Sequence, residues 1–209
     1  MNSKSARRPL SAAIAALSLV TPLGGCAPLL LGGAVIGTGV VVTDRRTTGA
    51  QLEDKSIENK AEARVRDLAT LGRINLTSYN RMVLITGEVP GETERAAVEK
   101  AVAAVENVRS VVNELAVGFN ASLSTRSSDS VLAAKVKASL IDAKDMYANA
   151  FRVVAERGIV YLMGRVSELE ATRATEIARS VAGVQKVVRV VEILTEQEIA
   201  DMKGGAAPK

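Results

Sequence analysis

Histidine and tryptophan are absent from this 209-residue chain, and cysteine occurs once, as Cys26. Without histidine there is no Ser-His-Asp or Cys-His arrangement with imidazole as the base. A zinc site of the usual Cys/His kind is excluded on the same ground, and no metal or other cofactor is expected. Aromatic residues make up only 2% of the chain, so the exposed platforms on which single-stranded nucleic acid stacks are missing too. The core has to be assembled from Val, Ala, Leu and Ile, which suit sheet faces and small helices. Hydroxyl and carboxylate chemistry remain formally open, but the composition leans away from an enzyme.

A concentrated basic surface is also lacking. The formal net charge is +4, yet Lys4, Arg7 and Arg8 lie within the first 25 residues, which contain no acid. Beyond them 24 basic residues face 23 acidic ones, which sets nucleic acid aside as a partner. What is present is 47% apolar and 24% charged, the balance of a folded chain long enough for one ordinary domain or two small ones.

The first fifty residues read as an address and a tether. Lys4, Arg7 and Arg8 form a positive start, Leu10 to Val20 a short apolar stretch, and Leu23-Gly24-Gly25-Cys26 a junction. That is the build of a secretory signal over residues 1–25, too short to cross a bilayer. Leu at −3, Gly at −1 and Cys at +1 resemble the bacterial lipobox, with Gly24 a less common choice at −2. The resemblance implies a thioether-linked diacylglycerol on Cys26, cleavage before it, and acylation of the new amino terminus. The alternative is an incidental buried thiol. Ala27 follows, where an Asp would retain an enteric lipoprotein in the inner membrane, so export to the outer membrane is expected. Residues 27–42, APLLLGGAVIGTGVVV, form a second apolar stretch of 16 residues interrupted by Pro28, Gly32, Gly33, Gly37 and Gly39. It reads as a membrane-hugging tether or as a glycine-packed span. Together with a polar stretch to Lys55, it gives a tether and linker over 26–55.

The remainder repeats itself. Val83-Leu-Ile85-Thr-Gly87-Glu-Val89 matches Val160-Tyr-Leu162-Met-Gly164-Arg-Val166 at a spacing of 77, and Val108-Arg-Ser-Val111-Val112 matches Val184-Gln-Lys-Val187-Val188 at 76. Two copies mean two small domains rather than a solenoid. Within each copy the periodicity changes in the same order. Helical spacing covers 56–69 and 130–142. Alternation follows at 73–79 and 149–156, then at 82–89 and 159–166. Asn80-Arg81 and Arg157-Gly158 suit the tight turns between these strands. A second helix is expected over 92–105 and 168–181, the latter opened by a Ser167/Glu170 capping box. A last apolar strand covers 108–117 and 185–194. The fold class is α+β, two tandem α-β-β-α-β units with two helices on each three-stranded sheet. The domains span 56–118 and 130–194, joined by a linker at 119–129 and followed by a tail at 195–209 in which Glu196 to Lys203 add a helical turn.

Two copies of this pattern with the V-x-[LI]-x-G-x-V strand resemble BON domains. The lipobox, the Gly-rich tether, Asp44-Arg45-Arg46-Thr47-Thr48-Gly49-Ala50-Gln51 and the two units together are similar to the dual BON-domain outer-membrane lipoproteins of the DolP or YraP kind. Arg73-Ile-Asn-Leu-Thr-Ser-Tyr79 and the segment from Asp129 to Leu140 add to the likeness, which runs from Cys26 to about Leu194. It implies mixed sheets and a role in maintaining outer-membrane integrity.

Gly87 and Gly164 recur, and a close backbone approach or strand-end bulge explains them better than a ligand site. Tyr79, Phe119, Phe151 and Tyr161 are expected in the core or an interface. The two first helices differ. Ile57, Ala61, Val65 and Leu68 form one buried stripe in the first repeat, opposite a solvated face of Glu58, Lys60, Glu62, Arg64, Arg66 and Asp67. In the second, Leu132, Val136 and Leu140 face the sheet, while Val131, Ala134, Ala138 and Ile141 form a surplus stripe flanked by Lys135 and Lys137. That stripe must meet the other domain, another protein or a membrane. The resemblance implies anionic phospholipid, although relatives can carry an aromatic anchor at the place of Val131. The expected membrane contacts are Val131, Lys135, Lys137, Ala138 and Ile141, with an envelope protein-interaction or osmotic-stress protection module that binds a protein partner as the alternative. Asp142 and Asp145 have neither nucleophile nor metal ligand beside them, and no catalytic site is expected there.

Overall fold

Two tight turns organise the chain. Asn80 and Arg81 both have positive φ (49° and 67°), as do Arg157 and Gly158 (52° and 76°). Two consecutive left-handed residues twist a hairpin the way its strands twist. In the computed structural model, which describes residues 44–68 and 72–204, these turns join β1 (Arg73–Tyr79) to β2 (Met82–Val89) and β5 (Phe151–Glu156) to β6 (Ile159–Val166). Each hairpin is antiparallel. A third strand then adds in parallel to the inner strand of each hairpin, β3 (Ser110–Asn113) beside β2 and β7 (Lys186–Ile193) beside β6. The sheets are therefore mixed.

Helices α1 (Thr48–Val65) and α2 (Glu92–Ala103) cover one face of the first sheet, and α3 (Leu123–Asp142) and α4 (Glu168–Ser180) one face of the second. Ile57, Ala61, Val83, Ile85, Val89, Val98 and Val102 fill the first core; Val136, Leu140, Ala150, Phe151, Val160, Leu162 and Ala174 fill the second. The Ser167/Glu170 capping box opens α4 as expected, with Glu170 N–H donating to Ser167 Oγ at 3.2 Å.

Side chains alternate along a strand, so residues between those core positions emerge on the opposite sheet face. There Tyr79, Met82 and Leu84 meet Tyr161, Met163 and Val190. The two sheets pack back to back, with helices outside on both sides. Each large apolar side chain buried in this seam contributes about 1.5–3 kcal/mol. A polar rim orients the seam: Arg73 Nη1 reaches Glu156 at 3.1 Å, Asn75 Nδ2 donates to Glu156 at 2.9 Å, and Asn80 Nδ2 donates to Glu192 at 2.7 Å. Glu156 itself is buried, but its partners reach solvent, and pairs open to solvent on one side contribute little each. The apolar seam therefore carries the association, and the rim sets its register.

Several expectations need correcting. Helix α1 begins at Thr48 and α3 at Leu123, so both linkers are shorter than the sequence suggested. Thr47 and Ser122 accept hydrogen bonds from Ala50 N and Thr125 N, and these caps start the helices upstream of any apolar stripe. Glu58 is not solvated: it is buried, accepting from Ser78 N–H at 3.0 Å and from Arg152 at 3.2 Å. Phe119 is not in a core but 97% exposed. The last strand of the first repeat is interrupted at Glu114–Leu115 and resumes as β4 (Ala116–Val117). The C-terminal turn is a full helix, α5 (Glu196–Gly204), with Ile199 buried. Among the described residues no helix is long and apolar enough to cross a membrane. Cys26 and residues 1–42 lie outside the described residues, and so does the tether reading.

Candidate functional site

The outer face of α3 is the feature the core leaves over. Leu132, Val136 and Leu140 are 7%, 0% and 0% exposed, while Val131 and Ile141 are 54% and 60% exposed. The surplus stripe therefore does not pack against the first repeat, and one of its three alternatives falls away. At about 100° per residue, Leu123, Val131, Ala134, Ala138 and Ile141 share a sector about 80° wide, directly opposite the buried one. Ala134, Lys135 and Ala138 are exposed with them.

Lys137 does not belong to this face. Its ammonium donates to Ala148 O at 2.6 Å and Phe151 O at 3.0 Å, where a short 3-10 turn (Ala148–Ala150) leads into β5. Burial there lowers its pKa. A lysine committed to two carbonyls is unavailable to a headgroup, so Lys135 is left as the exposed cation of the expected set. Sequence does not signal this, because the two carbonyls lie eleven and fourteen residues away, in the turn and at the start of β5.

Beside the first half of α3 runs an open groove of about 850 Å³. Ser124, Thr125, Ser128 and Lys135 line one wall, and Arg157, Gly158 and Gln185 the other. Asp129 also borders it, but its carboxylate already accepts from Arg157 N–H at 2.8 Å and Gly158 N–H at 2.9 Å. Asp54 does the same for the first hairpin, accepting from Asn80 and Arg81 N–H at 2.8 and 2.7 Å and from Ser78 Oγ at 2.7 Å. One buried aspartate per repeat thus ties the first helix to the hairpin turn. The spacing of Asp54 and Asp129 nearly matches that of the repeated strands and could have revealed it.

The segment ahead of α1 is a clasp rather than a loose linker. Arg45 reaches the second repeat, where its guanidinium donates to both oxygens of Glu170 at 2.7 and 2.6 Å and to Arg165 O at 3.0 Å. Arg46 turns the other way, pairing with Asp44 and Asp54 at 2.9 Å each and stacking 4.0 Å from the Tyr79 ring centroid. Burial pushes the Tyr79 hydroxyl up to about 12, so it stays protonated while donating to Ala150 O at 3.2 Å. Asp44 and Arg46 share a cleft of about 380 Å³ with Ala133, Ala134 and Lys137 of α3. Asp44, the first described residue, therefore stands beside that helix.

Gly87 and Gly164 sit where backbones crowd. A Cβ on Gly87 would lie 2.0 Å from Arg73 O, with φ at +115°, and one on Gly164 would lie 2.6 Å from Ala150 O. Asp145 pairs with Arg173 at 3.0 Å. Among the described residues no group of acids, Cys or His could hold a metal.

Comparisons with known proteins agree with this architecture. The BON domain family model matches residues 53–118 and 128–195. An "Outer membrane lipoprotein DolP" of Haemophilus influenzae is 36% identical over 175 residues, 82% of this chain and 90% of that protein. A "21 kDa hemolysin" of Actinobacillus pleuropneumoniae is 31% identical over 151 residues, 71% of this chain and 78% of that one. Among solved structures, CdsD, a structural protein of the Type III secretion system of Chlamydia trachomatis, aligns at a TM-score of 0.30 and 13% identity. That alignment covers 74% of this chain and all of that one, and the likeness is too slight to carry an argument.

Proposed function

The chain belongs to the BON-domain family, and on that premise we propose a non-enzymatic, lipid-anchored protein of the outer membrane that faces the periplasm. Its second repeat rests on anionic phospholipid, and the protein helps to maintain envelope integrity. Support comes from the named lipoprotein relative, from the lipobox ending at Cys26, and above all from the exposed apolar ridge of α3. Cys26 carries the acyl chains; at about 0.8 kcal/mol per buried methylene, two or three of them hold the protein on the membrane. Val131, Ala138 and Ile141 then settle at the interface with Lys135 toward the headgroups. One cation near an anionic surface contributes about 1 kcal/mol. Such a contact orients an anchored protein without needing to hold it.

Co-sedimentation of the fragment 44–209 with vesicles, with and without anionic lipid, tests this reading. Binding is expected to require anionic lipid and to vanish in Val131→Glu and Ile141→Glu variants whose circular dichroism matches wild type. A wild-type fragment that ignores every vesicle would overturn it and leave an envelope protein as the partner of the same face. Cys26→Ala should yield a precursor that is uncleaved or unanchored. Normal membrane retention of that variant would sink the anchor assignment.

A further inference from the structure

We propose that the lipid-contacting edge begins at Phe119, twelve residues before Val131, with Phe119 and Leu123 as its leading insertion point. This rests on the lipid-surface reading above and extends it to residues outside the helix face so far considered.

Among the described residues nine large hydrophobics are exposed, and six of them fall between Val117 and Tyr147. Exposed apolar residues scattered singly need no explanation, but a cluster along one element does. Phe119 is 97% exposed, whereas the other phenylalanine, Phe151, is 2% exposed in the second core. A phenyl ring with no packing partner contributes nothing to the fold. Its backbone is nonetheless held on both sides. Gly118 N–H donates to Val89 O at 2.9 Å, and Ser122 caps α3 through Thr125 N–H at 3.1 Å. The ring therefore projects from a short, pinned connector. Leu123, 73% exposed, opens α3 in the same sector as Ala134 and Ile141. Helix α3, with 20 residues, is about 30 Å long, so the edge from Phe119 to Ile141 is longer than a single side chain's foothold.

Two observations select lipid as the occupant. Between Val117 and Ile141 the only acid is Asp129, which is 6% exposed and bound to the hairpin turn, while Arg126 and Lys135 lie in the same stretch. From Phe119 to Val131 the edge thus carries no exposed acid, the exposed Asp142 standing at its far end, and this leading half complements an anionic surface. Asp44, the first described residue after Cys26, also lines a cleft with Ala134. Seventeen residues separate Cys26 from Asp44. A membrane holding the acyl chains is therefore within reach of this helix. Phenylalanine at the leading end supplies the aromatic side chain that Val131 does not.

The chain contains no Trp, so Phe119→Trp introduces a single indole. The full lipidated chain carrying it would be reconstituted into anionic vesicles whose acyl chains are brominated. Val131→Trp and, on the outer face of the first repeat, Ala103→Trp would be studied in parallel. Strong quenching and a blue-shifted emission are expected for Phe119→Trp and Val131→Trp, and neither for Ala103→Trp. Quenching at Val131→Trp with a water-exposed, unquenched indole at Phe119→Trp would overturn this inference and leave the parent reading intact. No quenching at either position would overturn both. Equal quenching at all three, including Ala103→Trp, would also overturn it, because no defined edge would then exist.

Discussion

The two repeats share a core and differ at their edges. In the first, α1 buries two acids, Asp54 and Glu58, against Arg46 and Arg152, and its outer face is charged through Lys60, Glu62 and Arg64. In the second, the equivalent helix has one buried acid, Asp129, and an outer face left bare. Below them, Gly87 has a positive φ and the strand beside it is broken at Glu114–Leu115, while β7 runs unbroken for eight residues past Gly164. Duplication of one fold has given a half built to hold the molecule together and a half with a surface to spare.

The two halves should differ most at their glycines. Gly87→Val adds a clash at 2.0 Å to a strained φ and should cost more than 4 kcal/mol, against about 2–3 kcal/mol for Gly164→Val. Thermal unfolding measures both, and equal losses would erase the distinction. Next come the hairpin aspartates. Asp54→Ala orphans two turn N–H groups, a hydroxyl and Arg46, and should cost about 3 kcal/mol; Asp129→Ala orphans two N–H groups and should cost about 2 kcal/mol by urea titration.

The clasp should be weaker. A double-mutant cycle on Arg45 and Glu170 is expected to give a coupling of about 1–2 kcal/mol. Burial works to raise the Glu170 pKa, but hydrogen bonds from Arg45 and Ser167 hold it below the ordinary 4.5. A carboxylate whose folded pKa is depressed contributes stability that is complete above its unfolded pKa and lost as pH falls through the folded one. Arg45→Ala should therefore lose less stability than wild type on acidification from about pH 5 to pH 3, and an equal loss would show that Arg45 does not set this pKa. The smallest effect is expected on the bare face. Val131→Glu should leave stability within about 0.5 kcal/mol of wild type while abolishing vesicle binding. A large fall in its Tm would mean the ridge is structural.

The order and type of the elements were legible because the apolar period switches between 3.6 and 2 at the same places in both copies. Helix starts were not. Residues 48–55 and 123–129 hold polar residues whose partners, such as Ser78 and Arg157, lie on distant strands. Asp44-Arg45-Arg46 reads as a solvated charge run until Glu170 and Asp54 are placed beside it. The ridge at Val131 and Ile141 was visible as a surplus that one small sheet cannot bury. Phe119 and Lys137 were misassigned because hydrophobicity and charge do not say which way a side chain can turn.

The back-to-back seam also makes each repeat depend on the other for cover. By Val117 the first repeat has all its strands, yet Tyr161, Met163 and Val190, which cover Tyr79, Met82 and Leu84, have not been made. A first repeat that folds before those residues are in place presents a sheet with a naked apolar back. Half-finished chains with exposed apolar surface are prone to aggregate. The second repeat is thus the permanent cover of the first, standing where a transient chaperone would otherwise be needed.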